Sequence, residues 1–339
     1  MDLDFFKLAE DSLKNWVQSK SQVFSPQSEE VLIEEGKDCE EIYILRRGEL
    51  TVTTSSKGGE EVLLANLREG SIVGEMSFLE SRPPVATVKV SSGSEVLAIN
   101  KKLLFKAIDE DFVLGRALFH FLAQKLSQQI QDQNTLIHTF SGSIVEPLRK
   151  VFTLFSDLEE SDVNWISKNS VLYRLQPDQI LIRQGELIPE IFLILAGDVN
   201  VSVQIEEKEK IVGSSNRGEL LGEMSMLSSD YNLTTATVRA LSGVEVIGVD
   251  KKTLQENIQS NSGFGMRFYR GMARMLSQRG RDQLASMGLA SISTKKELSE
   301  DNYTNDVIDF EMLSGITTAG TRFDWLCKEF QNKTANNHR

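Results

Sequence analysis

The sequence predicts a mainly β protein with added helices, built as two tandem β-rolls of jelly-roll type that are each flanked by helices. Three observations support this prediction: an internal repeat, short β-rich runs between turn residues, and helical periodicity at the end of each repeat. The length of 339 residues suits two domains, because one domain usually holds about 100–200 residues.

The repeat is visible when the chain is compared with itself. Asn15-Trp16 recurs as Asn164-Trp165, and the segment 70–77 (GSIVGEMS) recurs as 218–225 (GELLGEMS). The spacing stays near 150 positions over the whole repeat, which is typical of a duplicated domain. The second repeat carries two extra residues just after its Gly-Glu-Met-Ser segment.

Each repeat has the pattern of a short amphipathic helix, a run of short strands and then longer helices. The β-rich runs of the first repeat are separated by Gly or charged turns, and they are 31–33, 42–45, 50–52, 62–64, 86–88 and 96–99. From about Asp109 the apolar spacing changes to the helical period. These patterns predict domains at 1–140 and 143–287, followed by a flexible tail over 288–339 with a short amphipathic helix.

Composition narrows the classes of function. Lys and Arg total 37 against 49 Asp and Glu, and the resulting net charge of -12 disfavours direct binding to nucleic acid. No uncharged apolar stretch approaches the roughly 20 residues that span a bilayer, so membrane insertion is not expected. The only two cysteines, Cys39 and Cys327, are too few for a disulfide framework or a thiolate metal cage. A cytoplasmic protein is the prediction.

The Gly-Glu-Met-Ser segment lies between two predicted strands, follows another Gly, and precedes Ala-Thr-Val in both repeats. This pattern resembles the phosphate-binding cassette of the cyclic nucleotide-binding domain family. The segments 34–36, 42–50 and 70–75 resemble the successive strand and glycine-turn signatures of that family. The resemblance covers roughly residues 4–135 and again 151–287.

The resemblance implies a ligand site in each repeat. A short helix that begins at Gly-Glu would point its free N–H groups at a cyclic phosphate, and the Glu would accept a hydrogen bond from the ribose 2′-hydroxyl. The other interpretation of this Glu is a helix cap. The candidate ligand-binding residues are Gly74, Glu75, Met76, Ser77, Arg82, Ala86 and Thr87 in the first repeat, and Gly222, Glu223, Met224, Ser225, Thr234 and Thr235 in the second.

Both repeats depart from the family at its phosphate-binding arginine. Family members commonly have Arg-Pro-Arg-Ser-Ala-Thr-Val, but Pro84 stands at the second arginine in the first repeat and Thr234 in the second. A charge-assisted hydrogen bond is worth about 1.5–3 kcal/mol, so we expect cyclic mononucleotide binding to be weaker by roughly 10- to 100-fold. We also expect a preference for a less anionic ligand than cyclic AMP. Arg82 could swing in, although Pro83 and Pro84 stiffen the loop and favour a solvated surface arginine.

No catalytic or metal-binding motif is present, since the chain lacks HExxH, GxxxxGK and GxSxG patterns. The prediction is therefore a non-enzymatic regulatory or adaptor protein without a cofactor. Its two sensor domains would respond to a cyclic nucleotide or a related nucleotide or nucleoside. The alternative is that both rolls are degenerate and ligand-free, and serve as a structural scaffold in a larger protein assembly.

The tail contains one apolar helical face. Phe323, Leu326, Cys327 and Phe330 lie at positions i, i+3, i+4 and i+7. This face could dock back on a roll, on a second copy of the chain, or on another protein, and the first two interpretations are favoured. Together with the long helices, Phe323, Leu326 and Phe330 predict contact with a protein partner or a homo-oligomer.

Overall fold

A computed structural model of the chain describes residues 3–56, 58–136, 153–205, 208–227, 233–289 and 310–337. The chain divides into two compact units. Unit one comprises Met1–Val145 and Leu276–Val307, and unit two comprises Glu146–Met275 and Ile308–Arg339. This division places Leu276–Val307 with unit one, although residues 276–287 belong to the second repeat of the sequence.

The described part of unit one begins with two helices, continues as a β-roll and ends in two helices. Its helices are α1 (Phe5–Leu8), α2 (Asp11–Lys20), α3 (Glu75–Glu80), α4 (Lys101–Glu110) and α5 (Phe112–Leu136). Its strands are β1 (Gln22–Phe24), β2 (Glu30–Ile33), β3 (Glu41–Arg47), β4 (Leu50–Ser55), β5 (Glu61–Leu67), β6 (Ile72–Val73), β7 (Thr87–Val90) and β8 (Glu95–Asn100). They pair antiparallel in the orders β1-β8-β3-β6 and β2-β7-β4-β5.

Unit two repeats this order. Its helices are α6 (Thr153–Asp157), α7 (Glu160–Lys168), α8 (Glu223–Leu227), α9 (Lys251–Ser260), the first part of α10 (Ser262–Ser286) and α11 (Phe310–Asn337). Its strands are β9 (Ser170–Leu175), β10 (Ile180–Ile182), β11 (Glu190–Ala196), β12 (Val199–Ile205), β13 (Lys208–Ser215), β14 (Leu220–Leu221), β15 (Thr237–Ala240) and β16 (Val244–Asp250). They pair in the orders β14-β11-β16-β9 and β10-β15-β12-β13. The predicted fold class of two tandem β-rolls with helices is confirmed.

Each roll closes over an apolar core because inward-facing residues alternate along its strands. In unit one the core includes Ile33, Leu45 and Val96, and in unit two it includes Ile194 and Val246. The helices add their own apolar layer. In unit one, for example, the ring centroids of Phe5 and Phe121 lie 5.2 Å apart in an edge-to-face arrangement.

The tail helix α11 is longer than the sequence predicts, since its 28 residues begin at Phe310. Phe323, Leu326 and Phe330 are buried, and the ring of Phe323 packs edge-to-face on Phe155 at 5.1 Å. Arg322 Nη1 also donates to the Phe155 carbonyl oxygen at 3.3 Å. The face docks on unit two itself, as the first interpretation of the tail expects, and contact with a partner or a second copy stays a prediction. The predicted flexible segment between 290 and 309 lies outside the described residues.

None of the helices in the described part of the chain combines the length and the apolar character that crossing a bilayer requires.

Candidate functional site

The Gly-Glu-Met-Ser segments form the same tight junction in both units. A two-residue strand leads into Gly74 or Gly222, and a short helix, α3 or α8, begins at the next residue. Gly74 has φ 87° and Gly222 has φ 81°, a left-handed conformation that glycine adopts without strain. A Cβ on Gly74 would lie 3.0 Å from the Glu41 carbonyl oxygen, so the turn also requires a residue without a side chain.

The glutamates that begin these helices are deeply buried. Glu75 is 4% exposed and Glu223 is 3% exposed. The Lys125 Nζ of α5 forms an ion pair with Glu75 Oε1, whereas the matching position of the second repeat is Met275. The α3 helix has no side-chain hydrogen bond at its N-cap, Gly74. Glu75 is therefore a buried, ion-paired group, and α3 draws no capping bond from its N-cap residue.

A lysine holds the third helical residue in place in each unit. Ser77 Oγ donates to the Gly74 carbonyl oxygen at 3.0 Å and accepts a hydrogen bond from Lys101 Nζ at 2.7 Å. Ser225 Oγ likewise donates to the Gly222 carbonyl at 2.7 Å and accepts from Lys251 Nζ at 2.7 Å. Burial lowers the pKa of both lysines from the usual value of 10.5. Sequence reasoning missed this Lys-Ser-Gly arrangement, although the match of Lys101 with Lys251 in the repeat could have revealed it.

The loop after α3 places the other first-repeat candidates near the end of the helix or along its return strand. Arg82 is exposed and its Nη1 lies 3.5 Å from Glu80 Oε2, at the far end of α3. Thr87 Oγ1 accepts a hydrogen bond from the Glu35 amide at 3.1 Å, and Ala86 is half-buried beside it. Met76 is also half-buried, as is its counterpart Met224. Arg82 and Thr87 thus make separate contacts, one with the end of α3 and one with the Glu35 amide.

In the second repeat, the hydroxyl of Thr234 is already engaged by the backbone. Thr234 Oγ1 lies 3.1 Å from the Glu186 carbonyl oxygen, accepts from the Glu186 amide at 3.2 Å, and contacts the Arg183 carbonyl oxygen. Thr235, the next residue, is exposed. The side chain at the family's arginine position therefore stabilises its own loop.

An arginine from a distant part of the sequence reaches the first cassette loop. Arg281 lies near the end of α10, in the segment that belongs to unit one. Its Nε lies 2.7 Å from Glu80 Oε2, and its Nη1 donates to the Pro83 carbonyl oxygen at 3.1 Å. Ser277, one turn earlier, donates to Glu80 Oε1. Sequence reasoning missed this contact because about 200 residues separate the two segments.

Neither cassette contains a set of metal ligands among the described residues. No group of three or more His, Cys, Asp or Glu side chains within the described ranges could hold a metal ion.

The sequence profile of the cyclic nucleotide-binding domain family matches residues 24–111 and 172–261. The cGMP-dependent protein kinase egl-4 of Caenorhabditis briggsae is 25% identical over 229 residues, which cover 67% of this chain and 26% of the kinase. The cAMP-activated global transcriptional regulator CRP of Salmonella typhimurium is 30% identical over 115 residues, which cover 34% of this chain and 54% of the regulator. The chain thus spans between a quarter and about half of the length of these curated relatives.

Among solved structures, the regulatory domain of Toxoplasma gondii PKA in a co-crystal with cAMP is similar to this chain. The two share 18% identity with a TM-score of 0.30, and the similarity covers 76% of this chain and 88% of the other. The family profile matches just over half of the chain, in two tandem segments that each contain a Gly-Glu-Met-Ser cassette on a β-roll. The chain therefore belongs to the cyclic nucleotide-binding domain family.

Proposed function

We propose that this chain is a non-enzymatic regulatory protein whose two β-rolls sense a nucleotide-like ligand. The observation that supports the proposal is the buried glutamate at the start of each cassette helix, next to a serine that the same Lys-Ser-Gly arrangement fixes in both repeats. A buried carboxylate is costly unless it is paired or hydrogen-bonded. Its presence twice, at the position where the family binds ribose, favours a ligand role.

The first cassette can accept a sugar hydroxyl without losing its ion pair. Lys125 contacts Oε1 of Glu75, and an ionised carboxylate has acceptor positions on both oxygens. The ribose 2′-hydroxyl would donate to this carboxylate, and the amides of the first turn of α3 would face the cyclic phosphate. Lys101 would keep that turn in place through Ser77.

The helices that follow each roll provide the readout. The last strand of each roll leads directly into α4 and α5 in unit one, and into α9 and α10 in unit two. A ligand that binds one arrangement of the cassette better than another shifts the population of helix positions by that difference in affinity. The proposal includes a protein partner or a second copy of the chain as the receiver of this shift.

The loop residues favour a ligand with little dependence on phosphate charge. Pro84 offers no donor, and the hydroxyl of Thr234 is taken by its own backbone. A neutral nucleoside, or another ligand less anionic than cyclic AMP, fits these loop residues best.

The alternative is a scaffold whose rolls bind no ligand. The hydroxyl of Thr234 favours this scaffold. Its hydrogen bonds to the Glu186 backbone are satisfied without a ligand at the second site. Under this alternative the paired rolls would only support a larger protein assembly.

Calorimetric titration of the full chain with cyclic AMP, cyclic GMP, a cyclic dinucleotide, adenosine and guanosine separates the two functions. Glu75→Gln and Glu223→Gln should each weaken binding at their own site by about 1–3 kcal/mol, or roughly 5- to 150-fold. The exposed Glu69→Gln is the matched control. Absence of binding by all five ligands would favour the scaffold. Binding that neither glutamate variant alters would show that these carboxylates are structural.

A further inference from the structure

One arm of the Arg281 guanidinium has no partner among the described residues. The side chain is 10% exposed; its Nε forms an ion pair with Glu80 without hydrogen-bond geometry, and its Nη1 donates to the Pro83 carbonyl. Nη2 is buried and has neither an ion-pair nor a hydrogen-bond partner among the described residues. A buried, unsatisfied donor on a charged group is costly, and native structures rarely leave one. The arm therefore points to an acceptor that the described residues do not supply.

The position of this arm coincides with the gap in the first cassette. Nη1 binds the carbonyl of Pro83, the residue joined to Pro84, so the guanidinium lies beside the point from which the family's arginine would project. The same stretch of α10 also lies over the start of the cassette helix, since a Cβ built on Gly280 would stand 3.7 Å from Met76 Cε. The end of α10 therefore covers the cassette from Met76 to Glu80.

The local charges leave room for an anion. Glu80, whose side chain is 2% exposed, faces both Arg281 and Arg82, and Glu75 faces Lys125. Three cations thus contact the two carboxylates of α3, which leaves a surplus of positive charge at the cassette. A planar guanidinium can bind a carboxylate through one edge and phosphate oxygens through another, which a lysine cannot do.

We infer that Arg281 is the phosphate-binding cation of the first cassette, supplied from α10 in place of the arginine that Pro84 replaces. This inference rests on the proposed function and assigns the cyclic phosphate of a mononucleotide as the group that Nη2 binds. It applies only to the cassette of the first repeat. In the first repeat itself, Gln131 occupies the position that matches Arg281 in the second. It also revises the expectation of a weakly charge-dependent ligand for this one site.

The test uses the full chain carrying Glu223→Gln, so that the measured binding comes from the first site. Arg281→Gln should lower cyclic AMP affinity by roughly 10- to 100-fold and leave adenosine affinity within about twofold, because only the phosphate contact is lost. Pro84→Arg added to Arg281→Gln should restore most of the cyclic AMP affinity. The matched control is Arg46→Gln, which removes an exposed arginine paired with Glu95 and should change the affinity for neither ligand.

The double variant Glu80→Gln with Arg281→Gln removes both members of the buried pair and guards against a simple loss of folding. Equal loss of cyclic AMP and adenosine in this variant, without rescue by Pro84→Arg, would show a structural role and overturn the inference. Unchanged or increased cyclic AMP affinity in Arg281→Gln would also overturn it, and an increase would mean that α10 obstructs the cassette. If Glu75→Gln abolishes binding while Arg281→Gln does not, only this inference fails. If cyclic AMP does not bind at all, the inference fails together with the proposed ligand.

Discussion

The two repeats place their buried charges in different parts of the same fold. In the first repeat, the buried carboxylates of the cassette helix are paired with Lys125 and Arg281. In the second, the buried ion pairs join the leading helices to α10, where Asp157 binds Arg270 and Arg274 and Asp162 binds Arg267. These ion pairs lie at the cassette helix in the first repeat and in the helical layer in the second, although a buried glutamate begins the cassette helix in both.

The repeat alignment shows that each arrangement is replaceable. Leu13 and Ala117 stand in the first repeat where Asp162 and Arg267 form their pair in the second. Leu13 is fully buried, and an apolar residue can fill such a position as well as an ion pair can. The location of buried charge has therefore diverged while the strand order has stayed the same, which is expected if the two cassettes have different tasks.

Breaking the helical charge cluster should have the largest effect. Asp157→Ala removes the buried carboxylate that the half-buried Arg270 and Arg274 share, and should lower the free energy of unfolding by about 2–3 kcal/mol. Chemical denaturation monitored by circular dichroism measures this. The control is Asp324→Ala, whose exposed pair with Arg217 should contribute about 1 kcal/mol or less. Equal losses in the two variants would refute the assignment of the charge to the helical layer.

The two cassette glycines should differ in their tolerance of a side chain. Alanine at either position is strained by about 1–2 kcal/mol because of the left-handed backbone. Gly74→Ala should cost more, since its Cβ would meet the Glu41 carbonyl oxygen of the backbone, whereas Gly222→Ala meets the mobile end of Ile188 at 2.6 Å. Thermal unfolding of the two variants compares them directly. A larger loss of thermal stability for Gly222→Ala would mean that the first cassette adjusts to an added Cβ more easily than the second.

The smallest expected effect is a change in how steeply acid lowers the free energy of unfolding. Burial lowers the pKa of His120 from its usual 6.5, and the repeat places Arg270 at the matching position. The unfolded chain therefore binds this proton at a higher pH than the folded one, so stability falls as pH drops below about 6.5. His120→Gln should flatten that fall, as measured by the free energy of unfolding between pH 7.5 and 5.5. A slope identical to that of the unmodified chain would exclude His120 as its source.

The sequence was sufficient for the features that depend on local pattern. The repeat offset predicted both cassettes, and the need for a tight turn explained Gly74 and Gly222. Contacts between distant segments could not be predicted from the sequence, because no local pattern indicates that Arg281 contacts Glu80. The length of α11 was also missed, since the polar Ser and Thr residues before Arg322 have weak helix propensity and hide its start at Phe310.

The lysine beneath each cassette has a mechanical consequence. Lys101 and Lys251 are the first residues of α4 and α9, and the preceding residues, Asn100 and Asp250, cap those helices through their side chains. The first residue of each helix is thus bonded to the cassette through Ser77 or Ser225. A helix of ten residues is about 15 Å long, so a tilt of about 5° at its base moves the far end by roughly 1.3 Å. A small tilt at the cassette end of α4 or α9 would therefore become a larger displacement at the other end of the helix.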